Sequence, residues 1–437
     1  STFYGAVGAY SVAVDFLDYV MAHGTPYAST PMQKNALEPF TSSPLLNYMA
    51  GYYSGLAGNN ENALHYYRKA AEMSPDYCFP SRIEEKSMLE DVALKNPLDY
   101  KAQYYLGNLL YYYNQKDLAI ATWNKAAALS SEYGMIYRNL GFATDKYLKD
   151  AATAADFYRK AIAVNSSDPK FFTELDILEE ALKVPSNQRL ARMEKNKKTI
   201  FRSDDATSRY VYLLVDNGKY DQALSILSTR HFRVWEGGQT VYTQFVDAHL
   251  LNGLKLMGKK QYKKALDDFY AAGTFPRNLE TNELSTGPTV AKVAYHQGMA
   301  FKALGLNDKA TAAFEKCIET AASGDVWTRR RGGSDESKYF VAMAQKALGR
   351  EADSKATLDD MQKDIDAQNA TTSTVVDIYS KFGEDGSSAT IKARTIYIQG
   401  LVYLAEGDHE KAKDCFTRSL EINPTSVWTK YFLSICQ

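Results

Sequence analysis

Cysteine is scarce in this chain: four among 437 residues, at Cys78, Cys317, Cys415 and Cys436, with no CxxC pair. That excludes a disulfide framework and a cysteine zinc site and leaves the four as small buried hydrophobes. Net charge is also nearly absent, at -1. The basic face that nucleic acid requires therefore has no footprint, and "TRRRGG" (residues 328–333) reads as a solvated loop. No uninterrupted apolar run reaches the roughly 18 residues of a membrane helix. A soluble protein of the cytoplasm or periplasm, with no membrane span, is the expectation.

Catalytic chemistry is likewise missing. The six histidines form no HExxH and no close metal pair, and the chain has no GxSxG and no Walker motif. The pair Glu84–Glu85 reads as a solvated face. Not an enzyme, with no cofactor and no metal, is the resulting expectation.

What is present is a repeated spacing. Gly400, Ala412, Phe416 and Pro424 stand 12, 4 and 8 residues apart, and Gly51, Ala63, Tyr67 and Pro75 repeat those intervals. Three further copies keep most of it: Gly107, Ala119, Trp123, Ala126; Gly253, Ala265, Phe269, Ala272; and Gly298, Ala310, Phe314, Cys317. A sixth, Gly141, Ala154, Tyr158, Ala161, has one extra residue in its turn. Alanine, aromatic and small residue at i, i+4 and i+7 share one helix face. Glycine and alanine let two antiparallel helices cross closely, and the aromatic is expected to fill the space toward the next pair. Gly218, Gly258, Gly305 and Gly407 are expected to end first helices in left-handed conformation. One such pair cannot bury its apolar face alone, so pairs must stack.

This grammar resembles the tetratricopeptide repeat (TPR) family, whose unit is about 34 residues. The resemblance implies an all-α fold: a right-handed α-solenoid superhelix of TPR-type helix hairpins with irregular insertions. The expected organisation is a degenerate helical segment over 1–44, repeats over 45–200 with an extra helix near 82–95, and repeats with long loops and a C-terminal capping helix over 201–437. Segments near 174–198, 209–227 and 339–361 are weaker copies. "CFPSRIEEKSMLEDVALKNPLDYKAQYYLGNLLYYYNQKDLAIATWNKA" (78–126), "YRNLGFA", "FTELDIL" and "RHFRVWEGG" resemble, more narrowly, the C-terminal repeats of large bacterial proteins. Those carry a mutarotase-like β-sandwich domain of unknown function ahead of the repeats, which implies a carbohydrate-related context.

In such arrays the first helix of each pair lines the concave groove. Three residues before the repeat glycine stand Tyr48, Tyr104, Arg138, Leu250, Tyr295 and Tyr397; Tyr52 and Asn108 follow their glycines by one, and Tyr111 and Tyr112 add to the second copy. A tyrosine offers a flat apolar body with a hydroxyl, suited to peptides and to sugar rings. The same rings serve equally to fill a tight array. Trp235 and Glu236 in "VWEGGQ" are candidates for a groove edge, or Trp235 plugs a gap between repeats. The reading of function is a non-catalytic scaffold for a protein or peptide partner, the β-sandwich domain among the candidates. The alternative is the helical accessory region of a carbohydrate-active enzyme, with glycan in the tyrosine groove.

Overall fold

The computed structural model describes residues 2–23, 43–76, 78–233, 240–280, 287–322, 336–370 and 388–436. Among these the regular elements are all helical, and no helix is long and apolar enough to cross a membrane. The chain forms two compact units, Ser1–Leu178 and Glu179–Gln437.

In the first unit, α1 (Thr2–Ala6) and α2 (Tyr10–His23) precede the hairpin of α3 (Pro44–Leu56) and α4 (Asn60–Glu72). An extra helix, α5 (Ile83–Lys95), packs on α3 and on α6 (Tyr100–Tyr112). α6 pairs with α7 (Lys116–Leu129), and α8 (Gly134–Ala143) pairs with α9 (Ala151–Val164). α10 (Pro169–Ala181) follows, its Leu175 and Leu178 packing on Ala154, Ala155 and Tyr158. α2 buries Ala13, Val14, Leu17 and Val20 and docks on α3, with Tyr66 of α4 donating to Asp18 at 2.7 Å.

The second unit runs through α11 (Ser186–Lys195), the short α12 (Lys197–Ile200) and the hairpin of α13 (Asp204–Asp216) and α14 (Tyr220–Thr229). Three more hairpins follow: α15 (Thr240–Gly258) with α16 (Tyr262–Ala272), α17 (Pro288–Ala303) with α18 (Asn307–Ala322), and α19 (Ser337–Ala347) with α20 (Glu351–Ala370). The last pair, α21 (Ser388–Glu406) and α22 (His409–Ile422), leads to a single helix, α23 (Val427–Ile435).

The repeat spacing is a packing rule. A Cβ placed on Gly51 would lie 2.5 Å from the Tyr67 ring, and one on Gly107, 2.4 Å from Trp123. Gly141 would meet Tyr158 at 2.9 Å, Gly253 would meet Phe269 at 2.3 Å, Gly298 would meet Phe314 at 2.5 Å, and Gly400 would meet Phe416 at 2.6 Å. The aromatic of each second helix therefore packs on the glycine of its own first helix, and Tyr67, Phe269 and Phe416 also reach the following layer, at Asp91, His296 and Phe432. Each of these aromatics is nearly without exposure. The extra residue of the sixth copy is absorbed by a π-helical turn, Thr144–Leu148, that lengthens α8.

The expectation for first-helix ends holds at Gly218, Gly305 and Gly407, all left-handed, but not at Gly258. Gly258 stays inside α15, and Lys260, with φ 58°, takes the left-handed step two residues later. The cysteines Cys78, Cys317, Cys415 and Cys436 are all buried and unbridged. Burial pushes the Cys78 thiol up to about 11 and that of Cys317 up to about 12. Glu85 is not on a solvated face: it is buried and accepts from the Ser81 and Arg82 backbone N–H groups at 2.7 and 2.8 Å, capping α5.

Candidate functional site

The tyrosines three residues before the repeat glycine had two readings, lining a groove or filling a tight array. Tyr48, Tyr104 and Tyr397 are buried, at 0, 4 and 6% exposure, as is Leu250, which favours the second reading for these positions. The reason is a recurrent geometry. Tyr48–Tyr67, Tyr295–Phe314 and Tyr397–Phe416 have ring centroids 6.4, 6.0 and 6.0 Å apart, with interplanar angles of 48, 47 and 47°. Each ring also reaches the next layer: Tyr48 meets Tyr105, Tyr295 meets Phe340, and Tyr397 meets Phe432. These rings are wedges between successive hairpins. Tyr48 further donates to Asp99 Oδ2 at 2.7 Å, while Asp99 accepts from the Lys101 and Ala102 N–H groups at the start of α6. Burial, then Asp99, raises the Tyr48 pKa well above that of a free phenol.

The other candidates in the first unit divide. Asn108, Tyr111 and Arg138 come together and are all partly exposed. Trp123 Nε1 and Asn139 Nδ2 donate to Asn108 Oδ1 at 3.1 and 2.8 Å. Tyr111 lies against Trp123 and Phe142 at 5.5 and 6.0 Å. Arg138 stacks over Phe142 at 5.0 Å and grips Glu174 of α10 through Nε and Nη2 at 2.8 and 2.6 Å. Its pKa is raised: the Glu174 carboxylate, by hydrogen bond and charge, outweighs the larger single effect of burial, which lowers it. The result is a polar-aromatic patch on α6, α8 and α10. Tyr52 is half-buried beside Tyr53, with Asp91 of α5 adding to burial in raising its pKa. Tyr112 is 70% exposed, with Tyr113 as its ring neighbour at 5.2 Å. Trp235 and Glu236 lie outside the described residues.

In the second unit the first helices share an inner side, and α23 lies along it. Tyr212 of α13 donates to the Thr425 carbonyl at 3.2 Å, and Asp216 of α13 pairs with Lys430. Trp428 Nε1 donates to Asp247 Oδ1 of α15 at 2.6 Å. Lys292 of α17 places Nζ 3.5 Å from the centre of the Trp428 ring and 2.7 Å from Glu336 Oε1. Phe432 meets Tyr339 of α19 at 5.6 Å and Tyr397 of α21 at 6.2 Å. One helix touching the first helices of five hairpins can lie only on the side that those helices share. Burial pushes the Asp247 carboxyl pKa up, against Lys292 and the indole N–H. Glu336 is held below the usual carboxylate range, because Lys292, then Arg394 and Tyr397, outweigh its burial. His296, surrounded by Phe269, Tyr295, Phe340 and Trp428, donates Nδ1–H to the Lys292 carbonyl at 2.7 Å; burial lowers its pKa to about 4. Beside the start of α23, a cavity of about 200 Å³ is lined by Glu180, Arg189, Tyr212, Asp216, Pro424 and Lys430 among others. No group of three or more His, Cys, Asp or Glu side chains among the described residues is placed to hold a metal ion.

Sequence reasoning missed Asp247, Lys292, His296 and Glu336. Asp247 and Lys292 both stand six residues before their repeat glycines, Gly253 and Gly298, so a charge at a repeated first-helix offset was the available signal.

The architecture is thus an all-α helical-repeat fold. Family models of the tetratricopeptide repeat match residues 46–77, 291–323 and 393–426, so the chain carries TPR repeats in both units. Solved structures similar to it include YrrB, described as a TPR protein with an unusual peptide-binding site, at 21% identity over 42% of this chain and 90% of that one, with a TM-score of 0.32. A tetratricopeptide repeat protein from Parabacteroides merdae ATCC 43184 matches at 13% identity over 90% and 98% of the two chains, with a TM-score of 0.22. The APC/C hetero-tetramer Cut9-Hcn1 matches at 13% over 98% and 82%, with a TM-score of 0.29.

Proposed function

We propose that this chain is a non-catalytic interaction scaffold that holds a protein or peptide segment against the patch formed by Asn108, Tyr111, Arg138 and Phe142. The observation that carries the reading is Arg138. It is half-buried, stacked on Phe142 and held by Glu174, so a pre-positioned guanidinium faces partly into solvent among aromatic rings. Arginine and aromatic side chains together are the usual anchors of protein interfaces. The guanidinium fork suits a carboxylate on the partner, which would exchange with Glu174. The TPR repeats make a protein-binding role the one to test first.

The narrower resemblance adds a partner class, a β-sandwich domain of the same larger protein. The glycan alternative has less to stand on, because three of its tyrosines, Tyr48, Tyr104 and Tyr397, are buried. The deciding experiment is selection of peptides from a random display library on the full chain, then titration of the selected peptide against wild type and Arg138→Ala. Affinity lost at least tenfold in the variant supports the reading, as expected for a charged hydrogen bond of about 1.5–3 kcal/mol. Equal affinity for both proteins, or a library that yields no binder, sinks it.

A further inference from the structure

A net charge near zero hides one strongly one-sided place. Across the turn that joins α15 to α16, residues 253–266 hold five lysines, Lys255, Lys259, Lys260, Lys263 and Lys264, and no aspartate or glutamate. All five are exposed. Among the described residues none of them has a carboxylate within 4 Å. Lys255 approaches only the Gly218 carbonyl, at 3.5 Å, and the Tyr220 ring, at 5.5 Å. Asp268, further along α16, is taken by His249 and Asn252 at 2.8 and 2.9 Å. Two features set these lysines against local stability. In the other four hairpins of the second unit the left-handed residue of the turn is a glycine, Gly218, Gly305, Gly349 or Gly407; here it is Lys260, whose Cβ makes that conformation costly. The first turns of the other four second helices carry Asp221, Asp308, Glu351 with Asp353, and Glu410, which suit the positive end of a helix. The first turn of α16 has no acid and holds Lys263 and Lys264 instead. Departures from local rules that converge on one exposed turn are expected where function overrides stability.

We propose that the α15–α16 turn is a docking surface on the edge of the array for an acidic protein segment, a run rich in glutamate or aspartate. The match is one of charge. Five ammonium groups without carboxylate partners attract a run of carboxylates, speed its encounter and select against basic segments. The side chains favour protein over the other polyanions. Arginine, whose fork grips phosphate through two contacts, is absent between Arg233 and Arg277. The one aromatic residue within the run, Tyr262, is half-buried, whereas single-stranded nucleic acid is held by open rings on which bases stack. Leu254, Leu256 and Met257 are half-buried too, so the turn does not project an apolar tip of the kind that enters a bilayer. This surface shares no residue with the Arg138 patch and goes beyond it, giving the second unit a partner class of its own.

The test titrates the full chain with a fluorescent synthetic peptide, half glutamate and half glycine and serine, at low and at physiological salt. Wild type binds it, less tightly as salt rises, and does not bind the same peptide with glutamine in place of glutamate. The variant Lys260→Gly, Lys263→Glu, Lys264→Glu binds at least about tenfold more weakly. It unfolds at no lower temperature than wild type, because each change follows the local rule that the lysines break. A control with the same change of charge, Lys355→Gln, Lys363→Glu, Lys413→Glu, alters exposed lysines of α20 and α22 and keeps affinity within about twofold of wild type. No binding by wild type, equal affinity of wild type and variant, or an equal loss in the control overturns the proposal. So does a variant that unfolds at lower temperature, which would give the lysines a role in the fold. Tighter binding of wild type to phosphatidylserine vesicles or to single-stranded DNA than to the peptide overturns the partner class. Arg138 lies in the other unit and Arg138→Ala leaves this binding unchanged, so the scaffold patch and this turn can each fail alone.

Discussion

His296 makes the second unit acid-labile over a defined range. The imidazole is 4% exposed, ringed by Phe269, Tyr295, Phe340 and Trp428, and its pKa is lowered from 6.5 to about 4. The folded state holds it neutral, while the unfolded chain takes up a proton near 6.5. Stability from this group is therefore complete above pH 6.5 and is lost as pH falls toward 4. At pH 5 the unfolded form is favoured by 1.5 pH steps at about 1.36 kcal/mol each, or about 2 kcal/mol. Burial is the main cause; the hydrogen bond to the Lys292 carbonyl opposes it, the Lys292 charge adds to it, and Glu336 opposes it least.

The measurement is urea unfolding of wild type and His296→Phe at pH 7 and pH 5. Phenylalanine suits the aromatic surroundings and removes the titration. The Lys292 carbonyl that His296 Nδ1 contacts is a helix-backbone acceptor, so losing that contact leaves no isolated group. Wild type loses about 2 kcal/mol more than the variant between the two pH values. Asp247, whose raised pKa means that the folded state gains protons first, acts in the opposite direction, but in both proteins alike. Equal pH losses in the two proteins, or a native imidazole that titrates near 6.5 by NMR, would refute the reasoning.

Other outcomes follow from single contacts. Tyr48→Phe keeps the ring but removes the 2.7 Å bond to Asp99, and destabilises the first unit by about 1–3 kcal/mol in thermal unfolding; unchanged stability contradicts a structural role for that hydrogen bond. Gly253→Ala sets a methyl 2.3 Å from Phe269 and costs about 1–3 kcal/mol of overpacking, less about 1 kcal/mol of helix propensity. The double variant with Phe269→Leu recovers part of the loss, and simple additivity of the two would count against direct contact. Lys260→Gly relieves a left-handed lysine and raises stability by up to about 1 kcal/mol; a loss shows that the lysine side chain matters more than its backbone.

The hairpins could be read from the chain because their grammar is local. Gly107 and Trp123, or Gly400 and Phe416, lie 16 residues apart and meet within one hairpin, so the same two positions recur whenever the hairpin does. Even Gly141 and Tyr158, one residue out of step, keep the contact by way of a π-helical turn. What the periodicity could not supply was the surroundings of a helix face. Tyr48 and Arg138 share an offset from their glycines, yet one is sealed by Tyr105 and Asp99 while the other leans on Glu174 and remains partly open.

The destination of α23 lay further still from local reasoning. "SVWTKYFLSICQ" reads as a cap or an unfinished repeat because its apolar residues share one helix face, and periodicity alone does not say what that face meets. Trp428 finds Asp247 across 181 residues and Lys430 finds Asp216 across 214. A pattern at the receiving end was nonetheless present. Six residues before the repeat glycine stand Lys101, Asp247, Lys292 and Arg394, four charges at one first-helix offset. The first three have work for their charge. Lys101 donates to the Ala71 carbonyl at 2.6 Å near the end of α4, Asp247 takes the Trp428 indole, and Lys292 bridges that ring and Glu336. The partner of a charge at this offset therefore depends on the layer: the neighbouring hairpin for Lys101, and α23 for Asp247 and Lys292.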